Sequence, residues 1–101
     1  MNLRIDADSL RLRLTGEDMA RLLASGQVEF ATPLPQGLLT VRIDAGQHWR
    51  LDGSGLYLAL EVPREQLAAE QAKPSRDGLG RDMALAAGQV TVSLAVDLKN
   101  R

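Results

Sequence analysis

Alternation constrains this chain more than any other feature. Leu3 and Ile5 alternate with Asn2, Arg4 and Asp6, Leu10, Leu12 and Leu14 alternate with Arg11 and Arg13, and Val28 and Phe30 flank Glu29. The same period runs through Leu39, Val41 and Ile43, then Trp49 and Leu51, then Leu56, Leu58, Leu60 and Val62, and finally Val90 to Leu98. Successive side chains of a strand point to opposite faces, so each run is a strand with one buried and one wet side. One-sided burial favours antiparallel pairing, because parallel strands are usually covered on both faces. Asp6-Ala7-Asp8-Ser9, Asp44-Ala45-Gly46-Gln47 and Asp52-Gly53-Ser54-Gly55 separate runs with turn chemistry. Pro33-Leu34-Pro35-Gln36-Gly37 is a fourth turn region, whose two prolines speak against a regular ladder.

Two stretches leave the period of two for the period of a helix. Thr15 is placed to cap the first, with Asp18 three residues on completing a capping box, Met19, Leu22 and Leu23 on one face, and Gly26 as the stop. The second starts at Pro63, runs through Leu67 to about Ala72, and ends before Pro74. Residues 73–88 lack periodicity and carry Pro74, Gly78 and Gly80, which reads as a mobile connector, with a short helical piece at Met83–Ala87 as an option.

These readings give a single domain over residues 1–101, of α+β class. Its centre is one curved, mostly antiparallel sheet of six or seven strands with two helices on one face. A small antiparallel barrel with peripheral helices is the alternative. The halves echo each other, strand and capped helix followed by Gly26-Gln27-Val28 in one and Gly88-Gln89-Val90 in the other, which suggests a repeat over 9–44 and 55–98. Two short helices cannot cover a seven-strand apolar face, so self-association as a homodimer is expected.

Composition removes several function classes. The 101 residues include no Cys and one His, which excludes thiolate metal sites, thiol nucleophiles and multi-histidine metal centres. No cofactor is implied. Net charge is −1, so bulk charge gives no case for nucleic acid. No apolar run is long enough for a membrane helix, and the first residues carry no leader pattern. The expected setting is a bacterial cytoplasm, with an Arg-rich, Ala-rich composition that suggests GC-rich coding.

Leu3-Arg4-Ile5, Ser9-Leu10-Arg11-Leu12-Arg13-Leu14-Thr15, Glu17-Asp18-Met19 and Gly26-Gln27-Val28-Glu29 together resemble a family of short uncharacterised bacterial proteins, a domain of unknown function. The turn Val62-Pro63-Arg64 into a helix is similar as well. The resemblance departs at Leu98-Lys99-Asn100-Arg101, where a cysteine-containing tail belongs. It implies no activity, so no residue inherits a role from it.

No catalytic signature is present. Gly78-Leu79-Gly80 lacks the third glycine of a phosphate loop and reads as flexible chain. His48 is the only imidazole, with Ser54 and Asp52 near it only as turn residues, and reads as an exposed edge residue. The wet faces hold Arg4, Arg11, Arg13, Arg42, His48 and Arg50, but also Asp6, Glu29, Asp44, Asp52, Glu61 and Asp97. Cross-strand ion pairs are the plain expectation. The alternative is an anion or acidic-partner site formed by Arg11, Arg13 and a cross-strand arginine, Arg42. Trp49 shares parity with the core and is otherwise an interface anchor, and Tyr57, the one outward aromatic, is a second interface candidate placed to stack against an arginine or a ligand. Two functional readings therefore stand. One is a non-catalytic interaction or regulatory module. The other is a small-anion or nucleotide binder, an enzyme in its strongest form. They are separated by whether the arginines pair with carboxylates or converge without them.

Overall fold

The computed structural model describes residues 1–97. The class is α+β, built from eight strands and two helices in the order β1 (Asn2–Asp6), β2 (Ser9–Leu14), α1 (Gly16–Ser25), β3 (Gln27–Leu34), β4 (Gly37–Gly46), β5 (Arg50–Ser54), β6 (Tyr57–Pro63), α2 (Arg64–Ala72), β7 (Leu79–Leu85) and β8 (Gly88–Val96). Each half of the chain is thus a hairpin, a helix and a second hairpin.

The strands form two four-stranded sheets, ordered β1-β2-β8-β7 and β3-β4-β6-β5, in place of one wide sheet or a closed barrel. Every hairpin is antiparallel, whereas the central pairs β2/β8 and β4/β6 are parallel. This mixture follows from the halves. Each sheet takes one hairpin from each half, and the two hairpins meet pointing the same way.

Alternation now explains the core. Leu12, Leu14, Val92 and Leu94 from the parallel pair of one sheet, and Val41, Ile43, Leu60 and Val62 from that of the other, are buried in one cluster with Met19, Leu22 and Leu67 of the helices. The sheets therefore cover each other. The uncovered apolar face that argued for a second copy does not exist in this arrangement.

The first helix forms as its residues dictate. Thr15 Oγ1 accepts the Asp18 N–H at 3.0 Å, and the Asp18 carboxylate accepts the Thr15 N–H at 3.3 Å. Gly26 ends it at φ 92°, a left-handed conformation that suits glycine. Arg64, at the start of α2, donates to the Leu23 carbonyl at 2.7 Å and so ties the two helices together at the carbonyl end of α1. No helix among the described residues is long and apolar enough to cross a membrane.

Three sequence expectations change. The connector expected over 73–88 contains β7, paired residue by residue with β8 from Leu79↔Leu94 to Leu85↔Gly88, so Met83 is in a strand and not a helical turn. The element that matches β3 in the second half is β7, which shifts the correspondence from Gly88-Gln89-Val90 to the strand before it. Pro33 lies inside β3 opposite Leu38, which is tolerated because β3 is an edge strand. Of the last expected strand, Leu98 lies outside the described residues, as does the tail through Arg101.

Candidate functional site

The outward side chains of the β1-β2-β8-β7 sheet can be placed from its register. Arg4 on β1 stands directly opposite Arg11 on β2, and Asn2 opposite Arg13. Across the parallel pair, Ser9 faces Thr91, Arg11 faces Ser93 and Arg13 faces Ala95. The chain between α2 and β7 then folds over this face and adds Arg76 and Asp77. The result is an open groove of about 750 Å³ lined by Arg4, Arg11, Arg13 and Arg76, the hydroxyls of Ser9, Thr91 and Ser93, and one carboxylate, Asp77.

The wet strand faces are neutralised by a local device, which on this face reaches Arg4 alone. Arg42 lies 3.2 Å from Asp44, Arg50 lies 2.8 Å from Asp52, and Arg4 lies 3.8 Å from Asp6. Each is an arginine and an aspartate two residues apart on the same strand face. At Arg11-Leu12-Arg13 the second position is another arginine. Neither Arg11 nor Arg13 forms an ion pair among the described residues, and the same is true of Arg76. Like charges directly opposite each other destabilise a sheet, so the Arg4–Arg11 rung is an unfavourable element in the isolated protein.

The segment that delivers Arg76 is held at both ends. Glu70, only 5% exposed on α2, accepts the Ser75 N–H at 2.9 Å and the Ser75 hydroxyl at 3.0 Å. Ser75 Oγ in turn accepts the Gly78 N–H at 3.1 Å. Gly78 has φ +72° and lies so close to β8 that a Cβ there would meet the Leu94 carbonyl and the Ala95 backbone. Ala95 is the residue opposite Arg13, so this close approach sets Arg76 down beside the arginine pair.

Arg42 is not brought to this groove. It lies on β4 in the other sheet, paired with Asp44 and with its guanidinium 5.7 Å from the centre of the Tyr57 ring. Strand parity alone placed it with Arg11 and Arg13. Two sheets packed through their inner faces turn their outer faces away from each other, so these residues are on opposite sides of the molecule. Tyr57 is exposed and occupied by that stacking. Trp49 packs half-buried against the core and donates its indole N–H to Gln66 at 3.1 Å.

His48 sits in the connection between β4 and β5, beside a second groove that also includes Trp49, Arg64 and Arg81. Its backbone N–H and that of Gln47 donate to Glu61 at 3.2 and 2.9 Å, and these two bonds hold the Glu61 carboxyl below its usual range. His48 and the groove hydroxyls are on different sheets, so no nucleophile–base pair is assembled there. No group of three or more residues suited to a metal occurs among the described residues.

Sequence reasoning found Arg11 and Arg13 but missed Arg4 as their cross-strand partner and Arg76 as the fourth cation. The Arg-x-Asp pattern of β1, β4 and β5, replaced on β2 by Arg-Leu-Arg, is the signal that singles out this strand.

The chain belongs to a family of unknown function, DUF7009, whose model matches residues 1–99. No curated protein matches it.

Proposed function

We propose that this member of a family without an assigned activity is a non-catalytic binding module that takes an anionic ligand on the outer face of the β1-β2-β8-β7 sheet. One observation supports the reading above the others. The protein spends Asp6, Asp44 and Asp52 on neighbouring arginines, yet among the described residues Arg11, Arg13 and Arg76 share one groove with no carboxylate in ion-pair distance of any of them. Guanidinium groups present forked donors that suit carboxylate and phosphate oxygens. Positions two apart on a strand are separated by roughly 7 Å, so the fitting ligand carries two negative charges at about that distance. An extended segment of a partner protein with acidic residues at alternate positions meets this spacing, and the flexible arginine arms can also close on the shorter span of pyrophosphate. The groove has no aromatic side chain, which argues against stacking of a base.

Isothermal titration with inorganic pyrophosphate and with a hexapeptide bearing Glu at alternate positions tests the reading. Saturable binding that Arg11→Gln/Arg13→Gln weakens at least tenfold, and that falls steeply with added salt, supports it. Unchanged binding in that variant, or no binding of either probe, refutes it.

A bacterial cytoplasmic setting belongs to this proposal, on the strength of the cysteine-free, arginine-rich composition. Self-association stands on a different ground from the uncovered-face argument. Ile5 is 63% exposed on the edge strand β1, where a second copy could add its own edge. Sedimentation equilibrium of the wild type and of Ile5→Lys reads this directly, and a monomer at all concentrations removes it.

A further inference from the structure

We infer that Ser75 is a positioning residue for the arginine groove, and that buried Glu70 is the anchor it uses. The inference rests on the anion-binding reading and adds how that site is assembled.

Arg76 has no reason of its own to stand where it does. It approaches a face that already holds Arg4, Arg11 and Arg13, and like charges repel across such distances. Its segment has little apolar surface to bury, since Ser75, Arg76 and Asp77 are all exposed. Something must therefore hold the chain against that repulsion.

The structure offers two holds, one on each side of Arg76 and Asp77. On the near side is the Glu70–Ser75 pair. A carboxylate buried on a helix is costly unless it accepts hydrogen bonds, and among the described residues Glu70 takes its donors from Ser75, backbone and hydroxyl together. On the far side is Gly78, whose backbone lies against Leu94 and Ala95 with no room for a side chain. Ser75 Oγ joins the two by accepting the Gly78 N–H. Only two residues lie between these holds, so Arg76 has few conformations left. A preorganised cation loses less freedom on binding than one on a mobile loop, and affinity rises accordingly.

Ser75→Ala removes the hydroxyl that bridges Glu70 and Gly78 while leaving every groove side chain in place. Pyrophosphate affinity, read by isothermal titration, is expected to fall about threefold to tenfold. Ser75→Thr, which keeps a hydroxyl, should stay within twofold of the wild type. In an Arg76→Gln background the Ser75→Ala change should have no further effect, because the serine acts only through Arg76. A merely structural serine would weaken both backgrounds equally, and that result overturns the inference.

Amide hydrogen exchange gives a readout that needs no ligand. The Gly78 amide should be protected in the wild type and exchange at least tenfold faster in Ser75→Ala, with amides in β2 and β8 unchanged. If its exchange is unaltered, Ser75 does not hold the segment and the inference falls while the groove reading stands. If the wild type binds neither pyrophosphate nor the acidic peptide, the groove reading fails and takes the inference with it.

Discussion

Arg11 faces Arg4 across a strand pair and has Arg13 two residues along its own strand. Replacing Arg11 and Arg13 together with Gln therefore has a predictable sign. Were these side chains paired with carboxylates, the variant would lose about 1–2 kcal/mol of stability. Neither Arg11 nor Arg13 has such a pair among the described residues, so the change removes repulsion instead. Two unit charges at about 5.5 Å in water repel by roughly 0.75 kcal/mol, and screening at 0.1 M salt leaves about 0.4 kcal/mol. Arg11 and Arg13, two apart on one strand at roughly 7 Å, add a smaller amount, and the pairing of Arg4 with Asp6 at 3.8 Å offsets part of the Arg4–Arg11 rung. The net gain is between zero and about 1 kcal/mol, less what exposed side chains recover by splaying apart. For a domain of this size that is a rise in Tm of up to about 4–8 °C at low salt. Differential scanning fluorimetry at 20 mM and 500 mM sodium chloride reads it, with the variant ahead at low salt and level at high salt. Sulfate at equal ionic strength should raise the Tm of the wild type more than that of the variant, because a divalent anion neutralises the rung only when the rung is present. A loss above about 1 kcal/mol at any salt concentration would mean that the arginines are paired or buried, and the assignment of this face would be wrong.

Leu14→Ala, at a position with no exposure in the centre of the core, should cost about 2–5 kcal/mol by urea unfolding, whereas Ile5→Ala on the exposed edge should cost less than about 1 kcal/mol. Thr15→Ala should lose about 1 kcal/mol with the cap of α1, and Thr15→Ser should restore most of it. Burial would raise the Asp18 carboxyl, but hydrogen bonds from the Met1 amino group and from the Thr15 N–H and hydroxyl outweigh it, and the net direction is down. The folded state thus holds that proton less tightly than the unfolded chain. The associated stability is complete above the ordinary carboxylate range and disappears as pH falls through the lowered value. Urea midpoints between pH 5 and pH 2 should drop more steeply for the wild type than for Asp18→Asn.

Much of this fold is legible in the residues because burial on one face writes itself as alternation. Leu10-Arg11-Leu12-Arg13-Leu14 and Val90-Thr91-Val92-Ser93-Leu94 declare both their strands and their inner faces. Thr15, Asp18 and Gly26 declare the bounds of α1. β7 escaped because its inward positions read Leu79, Arg81, Met83 and Leu85, with glycine at 78 and 80, so the period is interrupted by a charge and by turn residues. Sheet membership escaped for a different reason. Parity assigns a side chain to an inner or an outer face, but a strand's partner is a long-range choice that local sequence does not encode. Parity therefore groups Arg42 with Arg11 and Arg13, and it says nothing of Arg76, which sits on no strand at all.

The exchange of hairpins between halves has a consequence for how the chain reaches its fold as it is made. The β3-β4-β6-β5 sheet is drawn from one continuous stretch, and its parallel pair joins Thr40 to Tyr57, 17 positions apart. That sheet can close early. In the other sheet Ser9 pairs with Thr91, 82 positions on, so β2 must wait with an open edge until almost the whole chain is present. Long-range pairing of this kind slows folding and leaves unpaired strand edges exposed in the meantime. A nascent chain should thus carry its arginine strand paired with β1 alone, its other edge open, and the groove comes into being only with β8. Loss of β8 alone would leave the β1-β2 hairpin with no strand to join, while the β3-β4-β6-β5 sheet keeps all its partners.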